Sequence, residues 1–253
     1  MNLAFVLLPE ARMPVGDDVA RAFSEISPEE SVTVPAPAPR DPEDPELLQL
    51  DLASGRSALI MLMAEPVPDG EAEEAAAFSI GTMGREWEPT HEAHLMVTLA
   101  PLDGESPSEA LSTFTTLLAA IAKSSGAVAI YWGNAGATHE TEFFDSIARD
   151  PDHSQRIALW TGVSTATDAD GTLELLSLGM TQLELPNLLL VTKSGSAEEA
   201  FGMFFDLLSY VAERGEAIPE GETIGSSESD RVPVNYVPSP VDPEQTVWRV
   251  ETP

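Results

Sequence analysis

The densest grouping of residues able to do chemistry is His91-Glu92-Ala93-His94. Two imidazoles and a carboxylate could hold a metal ion and activate water. A zinc protease places its histidines four positions apart on a helix, so that both reach one ion. Here the spacing is three, and His94 opens a predicted strand, where positions 91 and 94 face opposite sides. A metal site would also need His139 or His153. The spacing favours a structural pair, and no metal or cofactor is expected. Asp168-Ala169-Asp170-Gly171-Thr172 resembles the middle of a calcium loop. Loop position 1 would be Ala166 and position 12 Ser177, which cannot supply the bidentate carboxylate. A hairpin turn accounts for it.

Gly133-Asn134-Ala135-Gly136 follows a predicted strand and precedes a predicted helix. Such a turn can present backbone N–H groups to an anion. It matches neither the phosphate-loop nor the dinucleotide pattern, and no Lys or Arg lies beside it, so chain reversal is expected. There is no Gly-x-Ser-x-Gly elbow. The chain has no Cys, which removes a thiolate nucleophile, a thiolate metal site and a disulfide framework together. With 43 acidic residues, accidental carboxylate pairs are certain and say nothing about glycoside chemistry. No catalytic residue is assigned.

The 43 acids against 12 basic residues give a net charge of −31. A surface this negative repels phosphate, so nucleic acid and anionic membranes are not expected partners; a basic protein is. Trp132 and Trp160 lie in apolar runs and are expected in the core. Trp87 stands among charges, in Arg85-Glu86-Trp87-Glu88. Tryptophan is enriched at binding hot spots, so Trp87, Glu86 and Glu88 are the candidate partner-contact residues.

These residues must be positioned by a mixed set of elements. Strands are expected at Leu3–Leu8, 47–52, 57–64, 94–100, 127–132, 157–164, 172–180, 183–192 and 246–250. Helices are expected at 16–26, 71–80, 106–125, 141–149 and 196–214. Phe201, Phe204, Phe205, Leu208 and Val211 mark the inward face of the last helix. The stretches 28–45 and 219–243 are rich in proline and read mostly as loop. The pattern is α+β, a largely antiparallel mixed sheet with helices packed mainly on one face. One domain over 1–253 is expected, with two halves meeting around 134–156 as the alternative. Asn2 to Leu8 is too short and lacks the basic flank of a secretory signal, and no apolar run reaches 18 residues, so a cytoplasmic protein is expected.

Three stretches carry a family resemblance. They are Trp87 with His94-Leu95-Met96-Val97; the run from Ala127 to Trp132 through Glu142-Phe143-Phe144 to Leu159-Trp160; and Ser177-Leu178-Gly179-Met180, with Tyr210-Val211-Ala212 and Glu220-Gly221-Glu222-Thr223-Ile224-Gly225. Over roughly residues 57–250 the chain resembles the bacterial family of domain of unknown function 4261. The resemblance implies no catalytic residues. It implies a carboxylate after Pro186, where Asn187 stands here. The expected role is a non-enzymatic acidic binding protein, such as an immunity-type inhibitor of a basic toxin. The alternatives are an accessory component of a bacterial assembly such as a secretion machine, and a hydrolase with a site scattered along the chain.

Overall fold

A computed structural model describes residues 2–36, 41, 45–193, 195–225 and 231–252. Its strands are β1 (Asn2–Leu8), β2 (Val32–Thr33), β3 (Leu47–Leu52), β4 (Ser57–Met63), β5 (Ala93–Leu99), β6 (Ala129–Trp132), β7 (Ala137–Glu140), β8 (Gly162–Thr167), β9 (Leu173–Leu178), β10 (Leu188–Thr192), β11 (Thr223–Ile224), β12 (Val232–Pro238) and β13 (Thr246–Thr252). Its α-helices are α1 (Gly16–Ile26), α2 (Glu71–Glu74), α3 (Pro107–Ser125), α4 (Thr141–Ala148), α5 (Ile157–Trp160) and α6 (Ala197–Arg214). Among the described residues no helix is long and apolar enough to cross a membrane.

The two long helices are written in their ends. Ser106 and Glu109 form a capping box for α3, with Pro107 in its first turn and Gly126 closing it at φ 67°. Ser196 and Glu199 repeat the box for α6, and Gly215 closes it at φ 69°. Each box satisfies backbone N–H groups that the helix start leaves without partners.

The fold is α+β, built on two sheets. The seven-stranded sheet runs β2-β3-β4-β5-β1-β6-β7 and the six-stranded sheet β11-β12-β13-β10-β9-β8. Every neighbouring pair is antiparallel except β10 and β13. The two sheets share a plan. Each begins with a two-residue edge strand, continues through two antiparallel strands, and ends in a hairpin beside the strand that precedes a helix. In the six-stranded sheet β13 lies directly against β10. In the seven-stranded sheet β5 is inserted between β4 and β1, which are both antiparallel to it and so parallel to each other. The proline-rich stretches fall at the same place in both plans, just after α1 and just after α6.

One continuous core joins the sheets. It takes Val6, Ile60 and Val97 from the first and Leu175, Leu190 and Val250 from the second, bridged by Phe114, Trp132, Phe144, Leu159 and Phe204. Helix α3 runs through it, with Leu111, Phe114, Leu117, Ala120 and Ile121 all buried; a helix apolar nearly all round belongs inside.

The sheets meet where turn 133–136 seats against two glycines. A methyl group on Gly162 would lie 2.6 Å from the Ala135 carbonyl oxygen. One on Gly179, at φ 96°, would lie 2.6 Å from the Asn134 carbonyl oxygen and 2.7 Å from the Ala135 Cα. Backbone cannot yield as a flexible side chain can, so both positions require glycine.

Several expectations need correction. Turn 133–136 leads into strand β7, not directly into a helix; β7 is four residues long and carries only Ala137 as an aliphatic signal. Residues 157–160 form the helical turn α5 rather than the start of a strand. Asp152 accepts from the Ser154 N–H and starts a helical path that the apolar run continues, and short apolar runs do not distinguish strand from buried helix. The acidic stretch 71–80 gives only α2 followed by tighter turns, because Ser79 is extended (φ −79°, ψ 127°). The strand expected from 183 starts at Leu188. Part of 28–45 lies outside the described residues; within the rest, β2 pairs with β3. Stretch 219–243 contains β11 and β12. Pro233 precedes the first β12–β13 pair and Pro238 is in the last, so neither breaks the ladder between.

The glycine contacts give a paired test. Gly162→Ala and Gly179→Ala are each expected to lower unfolding free energy by more than about 2 kcal/mol. Gly202→Ala, in the middle of α6 where a methyl group meets nothing within 4 Å, is expected to raise it by about 0.5–1 kcal/mol. Urea denaturation of the three variants measures all of these.

Candidate functional site

The histidines do not converge. Among the described residues no group of three or more His, Asp or Glu side chains could hold a metal ion. Three of the four instead fasten segment 65–90 onto the seven-stranded sheet. The His94 Nδ1–H donates to the Glu65 carbonyl at 2.8 Å. The Val67 N–H donates to His91 Nε2 at 2.9 Å, and His91 Nδ1 lies 3.2 Å from the Glu73 carboxylate. His139 Nε2 donates to the Leu159 carbonyl at 3.1 Å, which leaves Nδ1 to accept from the Ser79 hydroxyl at 2.8 Å. This last pair looks like part of a hydrolytic triad. In a triad, however, the serine contacts Nε2 and a carboxylate holds Nδ1, and here both side chains are fully buried. His153 is exposed, beside α3 and α6.

Other polar residues missed by spacing arguments are structural by the same test. Buried Arg156 donates to the Ala148 carbonyl at 2.7 Å and to the Ser112 carbonyl at 3.0 Å, joining the end of α4 to α3. Buried Arg56 pairs with Glu105, tying the β3–β4 hairpin to the approach to α3. Asn187 Oδ1 accepts from the Met180 N–H at 3.0 Å, so the amide supplies the oxygen acceptor that a carboxylate there would supply. Asp170 caps its own hairpin turn by accepting from the Thr172 N–H and hydroxyl.

Two surfaces are left uncovered by the described residues. On the seven-stranded sheet α1 and α3 cover one face. On the other, strand pairing aligns Leu47, Met61, Met96, Phe5 and Tyr131 in one row across five strands. The next row is Gln49, Leu59, Thr98 and Leu3. Neither row contains a charge. Leu47 is 47% exposed and Leu59 45%; the other three strands keep their row residues half-buried. Segment 65–90 covers the neighbouring row, His94, Leu7 and Ala129, and reaches the near end of the open row, where the Tyr131 hydroxyl donates to the Glu71 carboxylate at 3.5 Å. Trp87 lies at that boundary, half-buried against the cluster of Leu7, Val67, Ala72 and Ala129 that Phe5 and Tyr131 also touch. Glu86 and Glu88 are exposed beside it. The second surface is a groove along α6. The helix buries Phe204, Leu208 and Val211 as expected, but Phe201 and Phe205 are half-buried and line the groove instead.

The histidine fastenings make stability depend on pH. Burial lowers the His139 pKa to about 4 and lowers that of His94. Between about pH 6.5 and pH 4 the unfolded chain takes up a proton at position 139 that the folded one does not, so stability falls as pH falls through that window. The loss attributable to His139 is on the order of 3 kcal/mol. Urea denaturation at pH 7 and pH 5 is expected to show the decline, and His139→Gln to reduce it.

Residues 176–251 match the family model described as Domain of unknown function (DUF4261). No curated protein and no solved structure matches the chain. The stretches around Trp87 and from Ala127 to Trp160 lie outside the matched residues. The match runs from the second half of β9 through β10, α6, β11, β12 and β13, and it includes Gly179 and Asn187. The likeness to that family of unknown function is shown over residues 176–251, the part of the chain that carries α6 and most of the six-stranded sheet.

Proposed function

We propose that this chain is a non-enzymatic binding protein that docks a basic partner protein on the open face of its seven-stranded sheet. It acts as an immunity-type inhibitor does, by covering a cationic target. The observation that carries this reading is the uncharged row of Leu47, Met61, Met96, Phe5 and Tyr131 on a chain of net charge −31. A flat apolar centre rimmed by charge is the anatomy of a protein interface. The rim here is acidic: Glu46, Glu65, Glu71, Glu86 and Glu88 are all exposed around the face. The adjoining cation, Arg85, is paired with Glu140. Trp87 supplies an aromatic anchor where the covered and open parts of the face meet. The acids steer a cationic partner to the face, and the apolar row holds it once water is excluded.

The test is affinity capture from the native host at low salt. One basic protein is expected to be retained and to wash off as ionic strength rises, because screening weakens steering. Met96→Glu is expected to weaken its binding at least tenfold. Trp87→Ala should cost about 2 kcal/mol, within the range for an aromatic hot spot. A retained partner indifferent both to salt and to Met96→Glu would defeat the proposal.

A further inference from the structure

The groove along α6 is independent of the sheet face. One wall is α6, where residues 201, 205, 209 and 213 recur every fourth position. The opposite wall comes from α4, α5 and the turn before α5, through Phe143, Ile147, Ser154 and Ile157. This part encloses about 580 Å³. A continuation of about 300 Å³ shares Ser154, Ile157, Ser209 and Glu213 and reaches the first turn of α3. From Phe201 to Glu213 the trough follows α6 for roughly 18 Å, at about 1.5 Å per residue. It suits about three turns of a second helix laid alongside.

Two further observations describe the occupant. The charged residues lining the trough, Asp206, Glu213 and Glu109, are all acidic, and among the described residues no Lys or Arg lines it. Near its Phe201 end stands Gly202, exposed inside α6. Glycine weakens a helix interior, and no described residue requires it there, since an added methyl group meets none of their atoms within 4 Å. A bare backbone in the wall of a trough permits close approach by another helix. Tyr210 lines the trough and is 49% exposed. Tyrosine offers an apolar body with a polar tip.

We infer that the trough between α6 and the α4–α5 wall is a docking site for a cationic amphipathic helix of a partner protein. The helix lays its apolar stripe over Phe143, Ile147, Phe201 and Phe205, crosses α6 closely at Gly202, and places Lys or Arg beside Asp206 and Glu213. This is the helix-in-groove mode of recognition.

The probe is a labelled 14-residue helical peptide with leucines at positions i, i+3, i+4 and i+7 and lysines elsewhere, titrated into the full chain by fluorescence anisotropy. A scrambled peptide of the same composition and a version with Glu for Lys are the controls. The amphipathic basic peptide is expected to bind at least tenfold more tightly than either control. Gly202→Leu, which fills the trough where the fold has room, is expected to reduce that affinity at least tenfold with circular dichroism and the thermal midpoint retained. Asp206→Lys with Glu213→Lys should do the same. Leu59→Glu, on the sheet face, should leave peptide binding unchanged, which separates this site from the one proposed above. Equal binding of the scrambled peptide, no binding by the amphipathic one, or full affinity in Gly202→Leu would each overturn the inference.

Discussion

Two glycines fix the relation between the two sheets. At Gly162 and Gly179 the six-stranded sheet meets the turn of the β6–β7 hairpin backbone to backbone, with less than 3 Å available to any methyl group. The contact places β8 and β9 against the end of the seven-stranded sheet. That placement lets α3, Trp132, Phe144 and Phe204 share one core. A side chain at either glycine would move the sheets apart and open the middle of that core, where interiors tolerate little misfit. The hydrogen bond from the Trp160 indole N–H to Thr115 Oγ1, at 2.8 Å, completes the seam by tying α5 to α3.

Around that junction the polar residues do structural work. Three histidines hold segment 65–90 against the sheet, an arginine closes the end of α4, and an asparagine anchors the turn after β9. Each satisfies groups that burial would otherwise strand. The result is a face half covered by a fastened segment and half left open. Its boundary is marked by Trp87, where a chain of net charge −31 presents an uncharged row.

The shared plan of the sheets bears on how this arrangement is built. The six-stranded sheet, most of which falls in the family-matched residues, needs no strand between β10 and β13. The seven-stranded sheet admits β5 at the equivalent place, and β5 leads directly into α3. The insertion widens the sheet and also supplies the helix that fills the core between the two. Met96 and Thr98, in the open rows, belong to that inserted strand.

Much of this was legible in the sequence. The Ser106-Pro107 start of α3, the apolar runs of β1 and β4 and the Asp-Gly hairpin turn are local signals, and local backbone chemistry decides them. The α+β class follows from their order. Trp87, Glu86 and Glu88 could be singled out because a tryptophan among charges is locally anomalous. What spacing could not give is which side chains meet across the chain. Ser79 and His139 are 60 residues apart, and Arg156 and Ser112 are 44. Brief elements such as β7 and α5 carry too few residues for a period to show, so packing against neighbours settles them. The open row of five side chains comes from five strands at separate places in the chain. Each residue alone looks like ordinary core. Only the order in which the strands pair, and the side on which the helices settle, leaves that row facing outward.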